Sequence, residues 1–211
     1  MNIQLSNISK RYNYEWIFRK VDFEFTSDNN YVILGANGSG KSTLLKLIAG
    51  NLIPSEGEIS YRIKDSKSEI KTIAEDKIYN YISYAAPYLD LFDEFTFTET
   101  IQFQEKFKSF YNGLTTKQII ELTELDKAKN KQLKYFSSGM KQRVKLALAI
   151  LCNTPLLFLD EPTSNLDKKA IAWYQNLINN YSENRLIIVC SNQQEYEYPF
   201  CNKALSIEDY K

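Results

Sequence analysis

Gly35-Ala36-Asn37-Gly38-Ser39-Gly40-Lys41-Ser42 lies between the apolar run Tyr31-Val32-Ile33-Leu34 and the stretch Thr43-Leu44-Leu45-Lys46-Leu47-Ile48-Ala49. That order predicts a buried strand, a glycine loop and a helix. Gly35, Gly38 and Gly40 let the backbone wrap closely with its N–H groups turned inward. The loop then empties into a helix N-terminus, whose partial positive charge favours an anion. Such a loop is a cradle for nucleotide phosphates, lined by Gly35, Ala36, Asn37, Gly38, Ser39, Gly40, Lys41, Ser42 and Thr43. Lys41 is expected to reach the β- and γ-phosphates, and the Ser42 hydroxyl to face Mg2+.

A second piece of chemistry follows in Leu156-Leu157-Phe158-Leu159-Asp160-Glu161. A fully buried strand ends there in two carboxylates, and open α/β sheets place their ligand crevice at strand C-terminal ends. Asp160 is suited to holding Mg2+ through water, and Glu161 to polarising the water that attacks the γ-phosphate.

Composition narrows the remaining choices. The chain has 211 residues, enough for one substantial core, and its 26 Lys plus Arg balance 26 Asp plus Glu. No overall basic footprint argues for nucleic acid. The longest apolar stretches, such as Leu146 to Cys152, fall far short of the ~18–20 residues that span a bilayer. Met1-Asn2-Ile3-Gln4-Leu5 has neither a basic segment nor a long apolar one, so no signal peptide is expected and the chain should stay in the cytoplasm. The three cysteines, Cys152, Cys190 and Cys201, are odd in number and widely spaced, as small core side chains in a reducing compartment would be. Histidine is absent, which excludes His-based zinc sites, Ser-His-Asp chemistry and a histidine switch.

Ile3-Gln4-Leu5 and Val21-Asp22-Phe23-Glu24-Phe25 alternate as half-exposed antiparallel strands do, and Glu58 to Ile63 continues the pattern after the turn Pro54-Ser55-Glu56-Gly57. Continuous apolar runs at Tyr31 to Leu34, Leu156 to Leu159 and Leu186 to Cys190 suit parallel strands buried on both faces. A further strand is read over Ile78 to Tyr84, and helices over most of 98 to 125 and 139 to 152. The expected fold is therefore α/β, with a mainly parallel sheet, an N-terminal antiparallel β part and an inserted helical part.

Asp160-Glu161-Pro162-Thr163-Ser164-Asn165-Leu166-Asp167 resembles the second nucleotide motif of ABC-type ATPases together with their D-loop. About twenty residues earlier, Phe136-Ser137-Ser138-Gly139-Met140-Lys141-Gln142-Arg143 is similar to the ABC signature, which normally reads Leu-Ser-Gly-Gly-Gln. The resemblance covers in effect the whole chain. It implies one ABC ATP-binding domain of the P-loop NTPase superfamily over 1–211. The nucleotide-binding core would comprise 1–85 and 155–211, and the helical subdomain 86–154. Ser137, Ser138 and Gly139 open a helix and so form a second anion-binding end. In the family, the phosphate loop of one protomer and the signature of another clamp the same ATP. The resemblance also places an aromatic residue on adenine, with Tyr12 favoured over Tyr14 and Trp16 because its position matches the motif.

Two departures from the family stand out. After Ile78 to Tyr84 the family presents a glutamine that contacts Mg2+, whereas Pro87 or Ala86 holds that slot here, and neither side chain ligates a metal. Asn192 stands where the family carries its switch histidine; it can donate an amide hydrogen bond to the γ-phosphate but cannot titrate. The resemblance implies a catalytic set of Lys41, Glu161 and Asn192, with Ser42 and Asp160 at the metal and ATP and Mg2+ as ligands. It further implies an ATP-hydrolysing subunit that pairs with itself or a related subunit. That subunit would power separately encoded transmembrane transporter subunits from the cytoplasmic face of the membrane. The aromatic segment Tyr88 to Phe97 lies where the family docks the coupling helix of that partner. The rival expectations are a soluble ATPase for assembly or repair and a nucleotide-gated scaffold with little hydrolysis. A small GTPase is disfavoured, because Asn130-Lys131-Gln132-Leu133 lacks the aspartate that reads guanine.

Overall fold

In the computed structural model, which describes residues 1–64 and 69–211, two sheets form from the two kinds of strand pattern. β1 (Asn2–Tyr12) and β2 (Glu15–Thr26) fold back on each other around Asn13 and Tyr14. Asn13 sits at φ 53°, the left-handed conformation that tight hairpins need and asparagine tolerates. β3 (Tyr31–Leu34) leaves for the second sheet, while β4 (Glu56–Lys64) and β5 (Ile70–Ile73) complete the antiparallel layer in the order β2-β1-β4-β5. Ile3, Leu5, Ile8, Phe18, Val21 and Phe25 bury the inner face of that layer.

The second sheet pairs parallel throughout, in the order β6 (Ile82–Ala85), β7 (Leu156–Asp160), β8 (Leu186–Ser191), β3, β9 (Lys203–Ser206). Its central strands serve two cores. Ile33, Leu156, Phe158, Leu186 and Ile188 turn to the antiparallel layer and to α1 (Lys41–Ile48). Val32, Leu157, Leu159, Ile187 and Val189 turn the other way, to the remaining helices. Alternate side chains thus enter different cores, which is why these runs are apolar without a polar interval.

The helices are α2 (Phe97–Glu105), α3 (Thr116–Thr123), α4 (Ser138–Ile150) and α5 (Lys168–Tyr181). α2 and α3 each begin with a capping box, Thr96 with Glu99 and Thr115 with Gln118. The helical pattern expected over most of 98 to 125 thus resolves into two helices. Between them Asn112 and Gly113 take φ 47° and 72°, Phe110 bridges to Cys152, and the Tyr111 N–H donates to Leu151 O at 2.8 Å. The strand expected from Ile78 starts only at Ile82. Residues 75 to 81 form a 3-10 turn in which Ile78 alone is buried, so little there asks for a place in the sheet.

Three elements escaped the sequence reading: β5, β9 and α5. The last had a signal, since Asp167 caps a run whose Ala170, Trp173, Tyr174, Leu177 and Ile178 share one buried face. Arg185, also buried, sits at the C-terminal end of α4. It donates to Ile150 O and Ser83 Oγ at 2.6 Å and to Thr154 Oγ1 at 2.9 Å, satisfying carbonyls at the negative end of the helix. Burial lowers its pKa to about 10. Cys152 and Cys190 are buried free thiols and Cys201 is half-buried, as the core reading expects. Among the described residues, no helix is long and apolar enough to cross a membrane.

Candidate active site

β7, β8 and β3 are neighbours and parallel, with Leu34 opposite Ser191 and Cys190 opposite Asp160. Their C-terminal ends therefore fall on one edge of the sheet. From that edge β3 releases the glycine loop, β7 releases Glu161, and β8 releases Asn192. Residues as far apart in sequence as Gly35 and Asn192 are brought together by strand order alone.

In the loop, Gly38 has φ 78° and Gly40 φ 107°, both in the left-handed half of backbone space. A Cβ on Gly40 would come 2.5 Å from Ile17 Cγ2, so β2 also forbids a side chain there. Ala36, Asn37 and Gly38 are exposed, Ser42 and Thr43 are half-buried on the first turn of α1, and Ser39 Oγ is buried without a partner. The Lys41 side chain is buried and its Nζ donates to Gly35 O and Ala36 O, both at 3.0 Å. Two residues unforeseen from sequence hold the loop from outside. The Glu208 carboxylate accepts from the Ala36 N–H at 3.0 Å, and Lys211 Nζ donates to Ser39 O at 2.7 Å. Both lie about 170 positions away, and no local pattern announces them.

Asp160 is 1% exposed. Its Oδ2 accepts from the Tyr88 hydroxyl at 3.0 Å, while Oδ1 is buried with no protein partner. Burial raises its pKa, against the nearby Ser42 and Tyr88 hydroxyls, which lower it. An orphaned buried carboxylate oxygen beside a hydroxyl is a hard-oxygen set of the kind Mg2+ takes, with water completing the shell. The donors present therefore fit the metal.

Glu161 sits at φ 42°, a left-handed conformation that costs a non-glycine residue on the order of 1 kcal/mol. Its N–H donates to Cys190 O at 3.0 Å, which ties the end of β7 to β8. Glu161 and Asn192 line one 190 Å3 cavity, and Asn192 Nδ2 reaches Asn37 Oδ1 of the loop at 3.4 Å. The acid and the amide thus stand beside the phosphate cradle.

Glu197 joins this edge without any sequence signal. It is buried, and it accepts from Thr163 Oγ1 at 2.6 Å, from the Thr163 N–H at 3.3 Å, and from the Ser191 hydroxyl. It therefore fastens the residue two after Glu161 to the residue before Asn192. Glu197→Ala, which strands these donors, is expected to destabilise the protein by about 2–4 kcal/mol. Burial raises the Glu197 pKa despite the three hydrogen bonds. With the folded value above the unfolded one, its contribution is full below the ordinary carboxylate range and is lost as pH rises through the raised value. The melting temperature of Glu197→Gln relative to wild type should accordingly climb between pH 4 and 8. A constant difference would show that the carboxylate does not titrate there.

Ser137 caps α4, accepting from the Met140 N–H at 3.2 Å; Ser138 is exposed beside it. Gly139 lies so close to the next loop that a Cβ would approach Asn165 O to 2.9 Å. Gln142 of the same helix, buried, donates to Pro162 O at 2.9 Å. The signature thus rests against the segment after Glu161 and presents its hydroxyls outward. Tyr12 is 48% exposed at the end of β1 with Lys10 Nζ 5.3 Å from its ring centre; Tyr14 is fully out, and Trp16 lies between Arg11 and Arg19. Pro87 keeps only its carbonyl engaged, by Lys145 Nζ at 2.6 Å. In the segment Tyr88 to Phe97, Phe97 is core, whereas exposed Phe92 meets Phe95 at a tilt and Phe103 edge to face, with ring centres 5.2 and 5.4 Å apart. Beside it runs a 340 Å3 groove lined by Tyr84, Leu89, Asp90, Lys108 and Lys145.

A glycine loop after a buried strand, a polar side chain from the neighbouring strand and two carboxylates from the strand beyond it define a nucleotide-triphosphate-hydrolysing α/β domain. The model of the ABC transporter family matches residues 18–164. An uncharacterized ABC transporter ATP-binding protein, YybJ of Bacillus subtilis, is 29% identical over 206 residues, covering 97% of this chain and 92% of its own. The spermidine/putrescine import ATP-binding protein PotA of Mycoplasma capricolum is 30% identical over 217 residues, covering 98% of this chain; the chain spans only 57% of that relative. A solved dimeric ATP-binding cassette in a post-hydrolysis state with ADP and Pi superposes with a TM-score of 0.79 at 22% identity. It covers 97% of this chain and 93% of its own, a likeness of fold. The chain belongs to the ABC transporter family, as an ATP-binding, ATP-hydrolysing cassette.

Proposed function

We propose that this chain binds MgATP at the edge shared by β3, β7 and β8, and pairs head to tail with a second copy or a related cassette around two nucleotides. Hydrolysis there would drive separately encoded transmembrane subunits from the cytoplasmic face of the membrane. The observation that carries the proposal is the convergence of the loop, Glu161 and Asn192 on one edge while the Ser137 end of α4 faces outward. Each copy then supplies one complete phosphate site and one half-site for its neighbour.

Residue roles follow from chemistry. The loop N–H groups from Gly35 to Thr43 and the N-terminus of α1 bind phosphate oxygens, and Lys41 neutralises charge on the β- and γ-phosphates. Glu161 accepts hydrogen bonding from the attacking water and takes its proton. Asn192 donates an amide hydrogen to the γ-phosphate. Ser137, Ser138 and Gly139 of the facing copy close over that phosphate, and Tyr12 stacks on adenine. Mg2+, when bound, would neutralise phosphate charge, and Ser42 and Asp160 are the residues that would hold it. The helical part, 86–154, carries the signature, and the 340 Å3 groove beside it receives the membrane partner.

Phosphate release by wild type and Asn192→His, each alone and with a multi-span membrane protein encoded beside it, tests this reading. Wild type alone should be slow and should speed up with the partner. Asn192→His should raise the basal rate by about tenfold or more, since one well-placed donor is commonly worth 10²–10³. A fast wild-type rate without a partner would refute the dependence. No hydrolysis in any arm would leave a nucleotide-gated scaffold.

A further inference from the structure

A buried carboxylate needs a donor on the oxygen that faces protein. Asp160 Oδ2 receives one from the Tyr88 hydroxyl at 3.0 Å, and that hydroxyl is itself hydrogen-bonded to the Tyr84 hydroxyl. The oxygen of Tyr88 therefore accepts from Tyr84 while its proton goes to Asp160. Burial foremost raises both phenol pKa values, so both hydroxyls keep their protons at neutral pH.

The turn that carries Tyr88 is fixed on three sides. Lys46 of α1 places Nζ 4.0 Å from the Tyr88 ring centre, Lys145 of α4 donates to Pro87 O at 2.6 Å, and the Leu89 N–H donates to Ala86 O at 3.2 Å. Asp160 Oδ1 meanwhile is buried and has no protein partner. One oxygen is thus tied back and the other is left for a ligand, the arrangement by which an outer residue orients a metal-holding carboxylate. Pro87 and Ala86 offer no side-chain donor at this turn; Tyr88 does.

Resting on the MgATP reading above, we propose that Tyr88, backed by Tyr84, is the positioning residue that holds the Asp160 carboxylate for the metal of the bound nucleotide. Tyr84 also lines the 340 Å3 groove with Leu89, Asp90 and Lys145.

The test measures metal and nucleotide separately on the whole chain. ATP binding is followed by calorimetry in EDTA, and Mn2+ binding to the ATP-loaded protein by electron paramagnetic resonance. Tyr88→Phe should weaken Mn2+ by about tenfold, the lower end for loss of an outer-shell partner, with metal-free ATP affinity unchanged and a lower Tm, since the buried Asp160 Oδ2 loses its donor. Tyr84→Phe, which keeps the Tyr88 donor, should weaken Mn2+ by a smaller factor, about two- to threefold, and serves if Tyr88→Phe folds poorly. Unchanged Mn2+ affinity in both variants, or an equal loss of metal-free ATP binding, would overturn the proposal. Tighter Mn2+ in Tyr88→Phe would make the hydroxyl a plug and overturn it as well. A wild-type chain that binds no ATP in EDTA or Mg2+ would instead sink the phosphate-loop reading beneath it.

Discussion

Glu161→Gln is expected to cut ATP hydrolysis by ~10²–10⁴, the usual range for removing a general base, while ATP binding stays close to that of wild type. Gln keeps the length of Glu, and the φ 42° backbone at this position asks the same of either residue. The hydrogen bond from its N–H to Cys190 O is a backbone contact and survives. What disappears is the carboxylate that takes the proton of the attacking water. With the chemical step blocked, the ATP-bound pair has no route to ADP and should accumulate. Light scattering at saturating MgATP would then report a dimer in Glu161→Gln and mostly monomer in wild type. Adding Ser137→Arg should return the protein to monomer, because a bulky cation at the cap of α4 obstructs the opposing half-site. Hydrolysis within a few-fold of wild type in Glu161→Gln would remove Glu161 from the mechanism.

The parts of this site that sequence reveals are those where chemistry is local. The strand, loop and helix from Tyr31 to Ala49 follow from neighbouring residues, because a phosphate cradle is built from consecutive backbone N–H groups. Asp160 and Glu161 are equally legible, since a buried strand that ends in acids states its own direction. Resemblance to the ABC motifs assigns Asn192 to the switch position; its amide lies 3.4 Å from Asn37 Oδ1 of the loop. The resemblance puts Tyr88 in an aromatic segment that lies where the family docks its partner. Its hydroxyl on Asp160 depends on how a turn folds across 72 positions of chain, which no periodicity encodes. Glu197 and Glu208 were invisible for the same reason. Both are acids in mixed stretches without a regular period, and only the tertiary fold turns one into a buried clasp and the other into a loop anchor. The strand placed four residues too early at Ile78 shows the opposite failure. Tyrosine and isoleucine favour strands, yet a segment with one buried side chain has little to gain from the sheet.

Lys41→Ala should weaken MgATP binding by at least about tenfold, because charge-assisted hydrogen bonds are typically worth ~1.5–3 kcal/mol and the proposed role of Lys41 is to make them to two phosphates. The side chain also has a second occupation, since its Nζ spans Gly35 O and Ala36 O at 3.0 Å. Removing it frees two carbonyls at the mouth of the loop, so a small loss of stability without nucleotide is expected in addition. The two effects separate by measurement. Calorimetry gives the loss in affinity directly, and thermal melts with and without MgATP give the linked stabilisation, which grows as RT ln(1 + [L]/Kd). In wild type at a hundredfold excess over Kd that gain is about 2.7 kcal/mol; a tenfold weaker variant at the same concentration would gain only about 1.4 kcal/mol. Lys41→Met, which keeps the apolar stem in its buried slot and removes only the ammonium, should lose as much affinity as Lys41→Ala. Equal ATP affinity in Lys41→Met and wild type would show that the ammonium belongs to the folded loop alone, and would sink the phosphate-loop assignment.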